Sequence, residues 1–335
     1  MNALAPASAG PLAVLPRIPL VLEPTPLHHA PRLSRELGVP ILLKRDDLAG
    51  VGLGGNKLRG LEYILADLRA RGCDSLVTGA GPQSNWTMLA ALTCLRNQIE
   101  PHVICYGQPA ELKAELKAQG NMRLLRWLGV DVRFTGEEDR ASVDAGIEAT
   151  TAELKTAGRR PYPVPRGGAT PLGALGYVRA SLELAAQLDA LGERPRAVWT
   201  ATGSCGTQAG LVAGAALTNA LYGVIGVTVS RPVDEATDRV RDLAAQGAEL
   251  AGLHVTPAEP EVRGGWIGSG YGQPSAEGQA AARLAATTEG VFLDPVFGAK
   301  AMAALIADCR SGRAEGTQVF LVSGGAPTLF AGGPP

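Results

Sequence analysis

The 335-residue sequence predicts an α/β fold of open, twisted, mostly parallel sheets. Two observations carry this. Short apolar runs alternate with longer Ala/Leu-rich amphipathic runs, and clusters of glycine close the apolar runs. The length leaves room for two domains, or for one large domain with a subdomain.

Taken in order, ILLKRDDL (41–48) reads as a strand, and Asn56 to Arg71 as a helix with Leu58, Leu61, Ile64, Leu65 and Leu68 on one face. SLVTG (75–79) is strand-like, Ser84 to Leu95 helical, HVICYG (102–107) strand-like, 110–128 helical and VDVRF (130–134) strand-like. AVWTAT (197–202), GVIGVTV (223–229) and QVFLVS (318–323) are further strands with helical stretches between them. This alternation is that of βαβ units. The glycine clusters at 50–55, 79–81, 167–168, 203–206, 264–272 and 324–325 fall after strands, where α/β sheets bind ligands.

Composition excludes several function classes. Net charge is −1 with the charges dispersed, so there is no basic stripe for nucleic acid or a membrane surface. No uncharged stretch reaches the roughly 20 apolar residues that span a bilayer. The apolar N-terminus lacks a basic start and is broken by Pro6, Pro11 and Pro16, unlike a signal peptide. The five cysteines, Cys73, Cys94, Cys105, Cys205 and Cys309, share no close spacing, so neither a disulfide framework nor a metal site is expected. A reduced, cytoplasmic setting follows.

Four segments are candidates for chemistry. In GLGGNKLRGLEY (52–63), Lys57 enters a helix whose positive dipole end disfavours its ammonium form, which suits Schiff-base chemistry. A solvated lysine in a glycine loop is the alternative. In TGAGPQSNWTM (78–88), Ser84 and Asn85 fall at a helix start, where Ser84 is either an N-cap or a contact for a substrate carboxylate. TATGSCGTQAGL (200–211) outlines a phosphate cradle from backbone N–H groups and the hydroxyls of Ser204 and Thr207. It lacks a P-loop lysine and dinucleotide spacing, so a small phosphorylated cofactor is expected. Toward the C-terminus, Tyr271 sits between glycines and Ser323 ends a strand before Gly324 and Gly325.

In that combination the sequence resembles the 1-aminocyclopropane-1-carboxylate (ACC) deaminase and D-cysteine desulfhydrase family, fold type II of the pyridoxal 5′-phosphate (PLP) enzymes. The likeness runs through PTPLHHAPRLSRELG (24–38), KRDDLAGVGLGGNKLRGLEY (44–63), TGAGPQSN (78–85) and GGATPLGALGYVRA (167–180). It continues through GSCGTQAG (203–210), YGQP (271–274), LDPVFGAKAM (293–302) and SGGAPTLF (323–330), which is nearly the whole chain.

The resemblance implies that Lys57 carries PLP as a Schiff base, that Asn85 bonds the cofactor's 3′-oxygen and that Ser323 faces the pyridine nitrogen. Gly203, Ser204, Cys205, Gly206 and Thr207 would bind the phosphate, with Phe297 beside the cofactor. Ser84, Asn85, Trp86 and Tyr271 would meet a small amino-acid substrate, and Lys57, Ser84 and Tyr271 would do the catalytic work. No metal is implied. A homodimer is, and so is a large PLP-binding domain (1–61 plus 171–335) with a small domain (62–170).

Three positions depart from the family pattern. Trp86 stands where the family has histidine, Phe297 where it has tyrosine, and Gly298 where ACC deaminases carry glutamate. The missing glutamate favours a β-eliminating lyase, D-cysteine desulfhydrase-like, over an ACC deaminase. Trp86 and Phe297 motivate a relative with diverged chemistry, β-replacement or racemisation. A non-catalytic PLP-fold binding protein is the reading from a different class.

Overall fold

The computed structural model describes residues 12, 14–108, 119–254 and 256–331. The chain opens with β1 (Leu27–His29), α1 (Pro31–Leu37), β2 (Ile41–Arg45) and α2 (Lys57–Ala70). Then come β3 (Ser75–Ala80), α3 (Asn85–Arg96), β4 (Glu100–Cys105), α4 (Gly120–Trp127), β5 (Val132–Phe134), α5 (Ser142–Thr156) and β6 (Pro161–Pro163). The third stretch holds α6 (Pro171–Leu191), β7 (Ala197–Thr202), α7 (Gly206–Leu217), β8 (Gly223–Thr228) and α8 (Val233–Leu250). Last are β9 (Glu261–Arg263), α9 (Ala276–Glu289), α10 (Gly298–Arg310) and β10 (Gln318–Val322).

The strands form two sheets, ordered β1-β2-β10-β7-β8-β9 and β5-β4-β3-β6. Among the described strands only β1–β2 pairs antiparallel. Crossover helices cover both faces of such sheets, so central strands are apolar throughout instead of alternating. β3 and β10 are accordingly buried at every position. Val319, Phe320, Leu321 and Val322 each contribute about 1.5–3 kcal/mol by burial. One face of the larger sheet packs on α6, α7 and α8, the other on α1, α9 and α10.

Two elements end earlier than the sequence pattern predicts. The strand at 41–48 stops at Arg45, and Asp46–Leu48 form a 3₁₀ turn. The strand expected at 102–107 runs from Glu100 to Cys105. Of the helix expected over 110–128, Gly120–Trp127 is α4, while 110–118 lie outside the described residues.

The early turn at Asp46 has a physical cause. Asp46 and Arg59 are buried, and Arg59 Nε and Nη2 grip the two carboxylate oxygens at 2.8 Å each. Glu183 of α6 accepts from Arg59 and Lys44, and Tyr177 donates to Asp46. Burial pushes the Asp46 carboxyl up, but Arg59, Lys44 and Tyr177 outweigh it and hold it at about 2. This cluster fixes α2 on α6, where glycine lets the backbones touch. A Cβ on Gly176 would lie 2.3 Å from the Arg59 carbonyl oxygen.

Candidate active site

Lys57 is the first residue of α2. The turn before it needs glycine: at φ +68° a Cβ on Gly54 would sit 2.0 Å from the Asp47 carbonyl oxygen. Arg45 holds the Asp47 carboxylate through two bonds of 2.9 and 2.7 Å, so the RDDL segment braces the lysine turn. Lys57 Nζ lies 3.3 Å from Ser204 Oγ, across from the end of β7. Burial lowers its pKa to about 8, against an opposing pull from Cys205. A large neutral fraction near pH 8 is what a Schiff-base amine needs.

The facing turn, Gly203–Thr207, leads from β7 into α7. Among the described residues no side chain caps α7, and Cys205 takes a left-handed φ of 78°. Arg231 Nε donates to the Gly203 carbonyl at 3.1 Å and Arg239 Nε to that of Ser204 at 3.3 Å. With these carbonyls engaged, the N–H groups of the first turn of α7 are left to an anion. Burial raises the Cys205 thiol, so this residue serves through its backbone.

Asn56 knits the segments together. Its Nδ2 donates to Thr207 Oγ1 and its backbone N to the Ser323 carbonyl, both at 2.9 Å. Ser323 follows β10 and opens onto the same cavity.

The opposite wall comes from the smaller sheet. Ser84 is the N-cap of α3, its Oγ accepting from Trp86 N at 3.2 Å. Asn85 Oδ1 accepts from Asn121 Nδ2 at 2.7 Å. Trp86 is buried; its Nε1 donates to Thr78 Oγ1 at 2.8 Å, and its ring lies where a Cβ on Gly168 would clash at 2.4 Å. Trp86 also lines the cavity.

Tyr271 and Phe297 meet edge to face, centroids 6.1 Å apart, with the Arg140 guanidinium 5.0 Å from the Tyr271 ring centre. Burial pushes the Tyr271 phenol up to about 12, so it keeps its proton at neutral pH. Phe297 sits 3.1 Å from where Gly203 would carry a Cβ. Asp294 holds Phe297 in place by accepting from the backbone N–H groups of Val296, Phe297 and Gly298 at 3.1, 2.7 and 2.8 Å. Buried Lys300 donates to the carbonyls of Ile267 and Gly270, tying the loop of Tyr271 to α10.

Of the site residues expected from sequence, all but Gly206 line one cavity. Gly206 lines a smaller adjoining one with Lys57 and Thr207. The cavity also brings in Asn56, Tyr106, Arg140, Arg166 and Arg231. Asn56 abuts the lysine motif and was within reach of sequence reading; the others come from loops with no motif of their own. Among the described residues no cluster could hold a metal ion, and no helix is long and apolar enough to cross a membrane.

A family model described as "Pyridoxal-phosphate dependent enzyme" matches residues 18–324. The chain belongs to this family. A putative 1-aminocyclopropane-1-carboxylate deaminase of Pyrococcus abyssi is 37% identical over 319 residues, 95% of this chain and 94% of that protein. A D-cysteine desulfhydrase of Salmonella paratyphi B is 36% identical over 323 residues, 96% of this chain and 97% of that protein. The crystal structure of an ACC deaminase homologue superposes with TM-score 0.90 at 33% identity, covering 98% and 97% of the two chains. Both the fold-type expectation and the cofactor expectation therefore hold.

PLP suits the residues present. The uncapped start of α7 offers N–H groups for its phosphate, and Lys57 brings a low-pKa amine to the rim of that cradle. Among the described residues the lining holds Lys57, Arg140, Arg166 and Arg231 and neither Asp nor Glu, which suits two anionic groups, a phosphate and a substrate carboxylate.

Proposed function

We propose that the chain is a PLP-dependent β-eliminating lyase acting on a small amino acid, D-cysteine desulfhydrase-like, releasing a keto acid, ammonia and the leaving group. When bound, PLP draws electrons from the Cα of an attached amino acid, which lets a proton leave Cα and a substituent leave Cβ. Lys57 would hold the cofactor and would serve as the base at Cα; its lowered pKa supports both roles. Ser84 and Asn85, at the start of α3, receive the substrate carboxylate, and Asn85 also donates to the cofactor's 3′-oxygen. Gly203 to Thr207 hold the phosphate. Ser323 would present a neutral hydroxyl to the pyridine nitrogen, and Phe297 would lie beside the ring. Tyr271 and Trp86 border the substrate, with the Tyr271 phenol keeping its proton.

The observation that carries the preference for elimination is Gly298. Its N–H bonds Asp294 Oδ2 at 2.8 Å, and a Cβ there would face Asp294 Oδ2 at 3.1 Å. Position 298 therefore supplies no side-chain carboxylate where ACC deaminases have one, and the neighbouring Asp294 carboxylate is taken up by the backbone N–H groups of Val296, Phe297 and Gly298. The test is product release from D-cysteine and from ACC by the purified holoenzyme. Pyruvate and sulfide from D-cysteine are expected, and faster turnover of ACC would reject the reading.

A second reading, diverged chemistry such as replacement or racemisation, draws on Phe297, whose ring cannot move a proton. On that reading native protein fails to release sulfide from D-cysteine, and Phe297→Tyr acquires the activity; no gain counts against it.

We also propose that residues 1–61 plus 171–335 form the large domain and 62–170 the small one, with the cofactor between them. The division of the strands into two sheets supports this. A homodimer is proposed as well, since exposed Leu221, Phe292 and Phe330 offer apolar area for a partner to cover. Five free thiols suit a cytoplasmic setting.

A further inference from the structure

We propose that Asn121 is a positioning residue that decides which end of the Asn85 amide faces the cofactor. It rests on the reading of Asn85 as donor to the cofactor's 3′-oxygen. The relay begins at the backbone carbonyl of Gln83, which can only accept. Asn121 Nδ2 donates to that carbonyl at 2.9 Å, which fixes the Asn121 amide with its amino end toward Gln83. The same amino group donates to Asn85 Oδ1 at 2.7 Å. The Asn85 oxygen is thereby engaged on the protein side, and its amino group is turned to the cavity that Asn85 lines.

Alternatives are blocked on each side. Asn121 is fully buried, and its Oδ1 has no hydrogen-bond partner among the described residues. Reversing the amide would not rescue that oxygen, because it would set it against the acceptors of Gln83 and Asn85. The backbone N of Asn121 donates to Gln83 Oε1 at 2.9 Å, locking the start of α4 to the turn before α3. Gly120, at φ +53°, makes this approach possible, since a Cβ there would fall 2.4 Å from Gln83 Oε1 and 3.0 Å from the Pro327 carbonyl oxygen. On the far side, a Cβ on Gly325 would lie 2.7 Å from Asn85 Nδ2, so the amide fills its slot.

A donor on the 3′-oxygen withdraws charge from the atom that shares the proton of the Lys57 nitrogen. It thus lowers the pH at which that proton leaves, and losing the donor raises it. The test is a pH titration of the visible absorbance of the holoenzyme without substrate, which does not depend on the reaction catalysed. Asn121→Asp replaces the amino group by an oxygen, so Asn85 must turn its own amino group toward the new carboxylate. The midpoint is expected to rise by about one pH unit. Asn121→Ser, too short to reach Asn85, is expected to move in the same direction and serves if the Asp variant does not fold. Asn85→Ala should shift as far, and the Asn85→Ala/Asn121→Asp double variant no further than Asn85→Ala alone. A native midpoint in the Asn121 variants beside a shifted Asn85→Ala overturns the relay, even where melting temperature falls. Additive shifts in the double variant overturn it too. An unshifted Asn85→Ala overturns the reading of Asn85 beneath it, while leaving the lyase assignment standing.

Discussion

Asn56 Nδ2 donates to Thr207 Oγ1 at 2.9 Å, joining the residue before the lysine to the first turn of α7. The bond couples the amine to the phosphate cradle, so neither shifts without the other. Asn56→Ala should weaken retention of PLP about fivefold, the worth of roughly 1 kcal/mol for one hydrogen bond. Equilibrium dialysis followed by visible absorbance measures it; undiminished affinity would show that the bond contributes nothing to the site.

The Lys57 amine should set the pH dependence of cofactor loading. Only the neutral amine attacks an aldehyde, and the neutral fraction grows as pH rises through the pKa. With burial lowering that pKa to about 8 from the ordinary 10.5, the rate at which apoenzyme takes up PLP should rise with pH and level off above about 8. A rate still climbing steeply at pH 10 would contradict the burial of this amine.

The Asp46–Arg59 pair should give acid stability. Its carboxyl is held at about 2 against the ordinary 3.8, a depressed value. The resulting stabilisation is complete above pH 3.8 and is lost as pH falls from there toward about 2. Asp46→Asn should therefore show a flatter loss of stability across that window in urea melts. Arg59→Leu strands the buried Asp46 carboxylate beside the partly buried Glu183 and should cost about 3–5 kcal/mol at pH 7. A loss under 1 kcal/mol would mean that Lys44 alone satisfies them.

Gly298→Glu should not turn the protein into an ACC deaminase. The new side chain starts 3.1 Å from Asp294 Oδ2, a buried carboxyl whose pKa burial already raises to about 6. A second carboxylate there should destabilise the fold by about 1–3 kcal/mol, read as a lower melting temperature. An unchanged melting temperature together with rapid ACC turnover would show that position 298 alone separates the two activities.

What the sequence by itself determined was local: the parallel α/β class, the helix opening at Lys57, the turn and helix at Ser84, and the glycine turn at 203–206. Each is written in contiguous residues, as an apolar run, a cap or a glycine, and needs no distant partner to be read. Tertiary structure decided what distant residues do to one another. Asp46 leaves its strand because Arg59 waits 13 positions on, and Asn121 reaches Asn85 across 36. Arg140, Arg166 and Arg231 enter the cavity from loops that carry no pattern. Trp86, which lines the cavity, packs under Gly168 with its Nε1 bonded to Thr78. Burial, which lowers the Lys57 amine, raises the Tyr271 phenol and leaves Asn121 Oδ1 without a partner among the described residues, belongs to the packed chain, because desolvation has no meaning until the surrounding residues are in place.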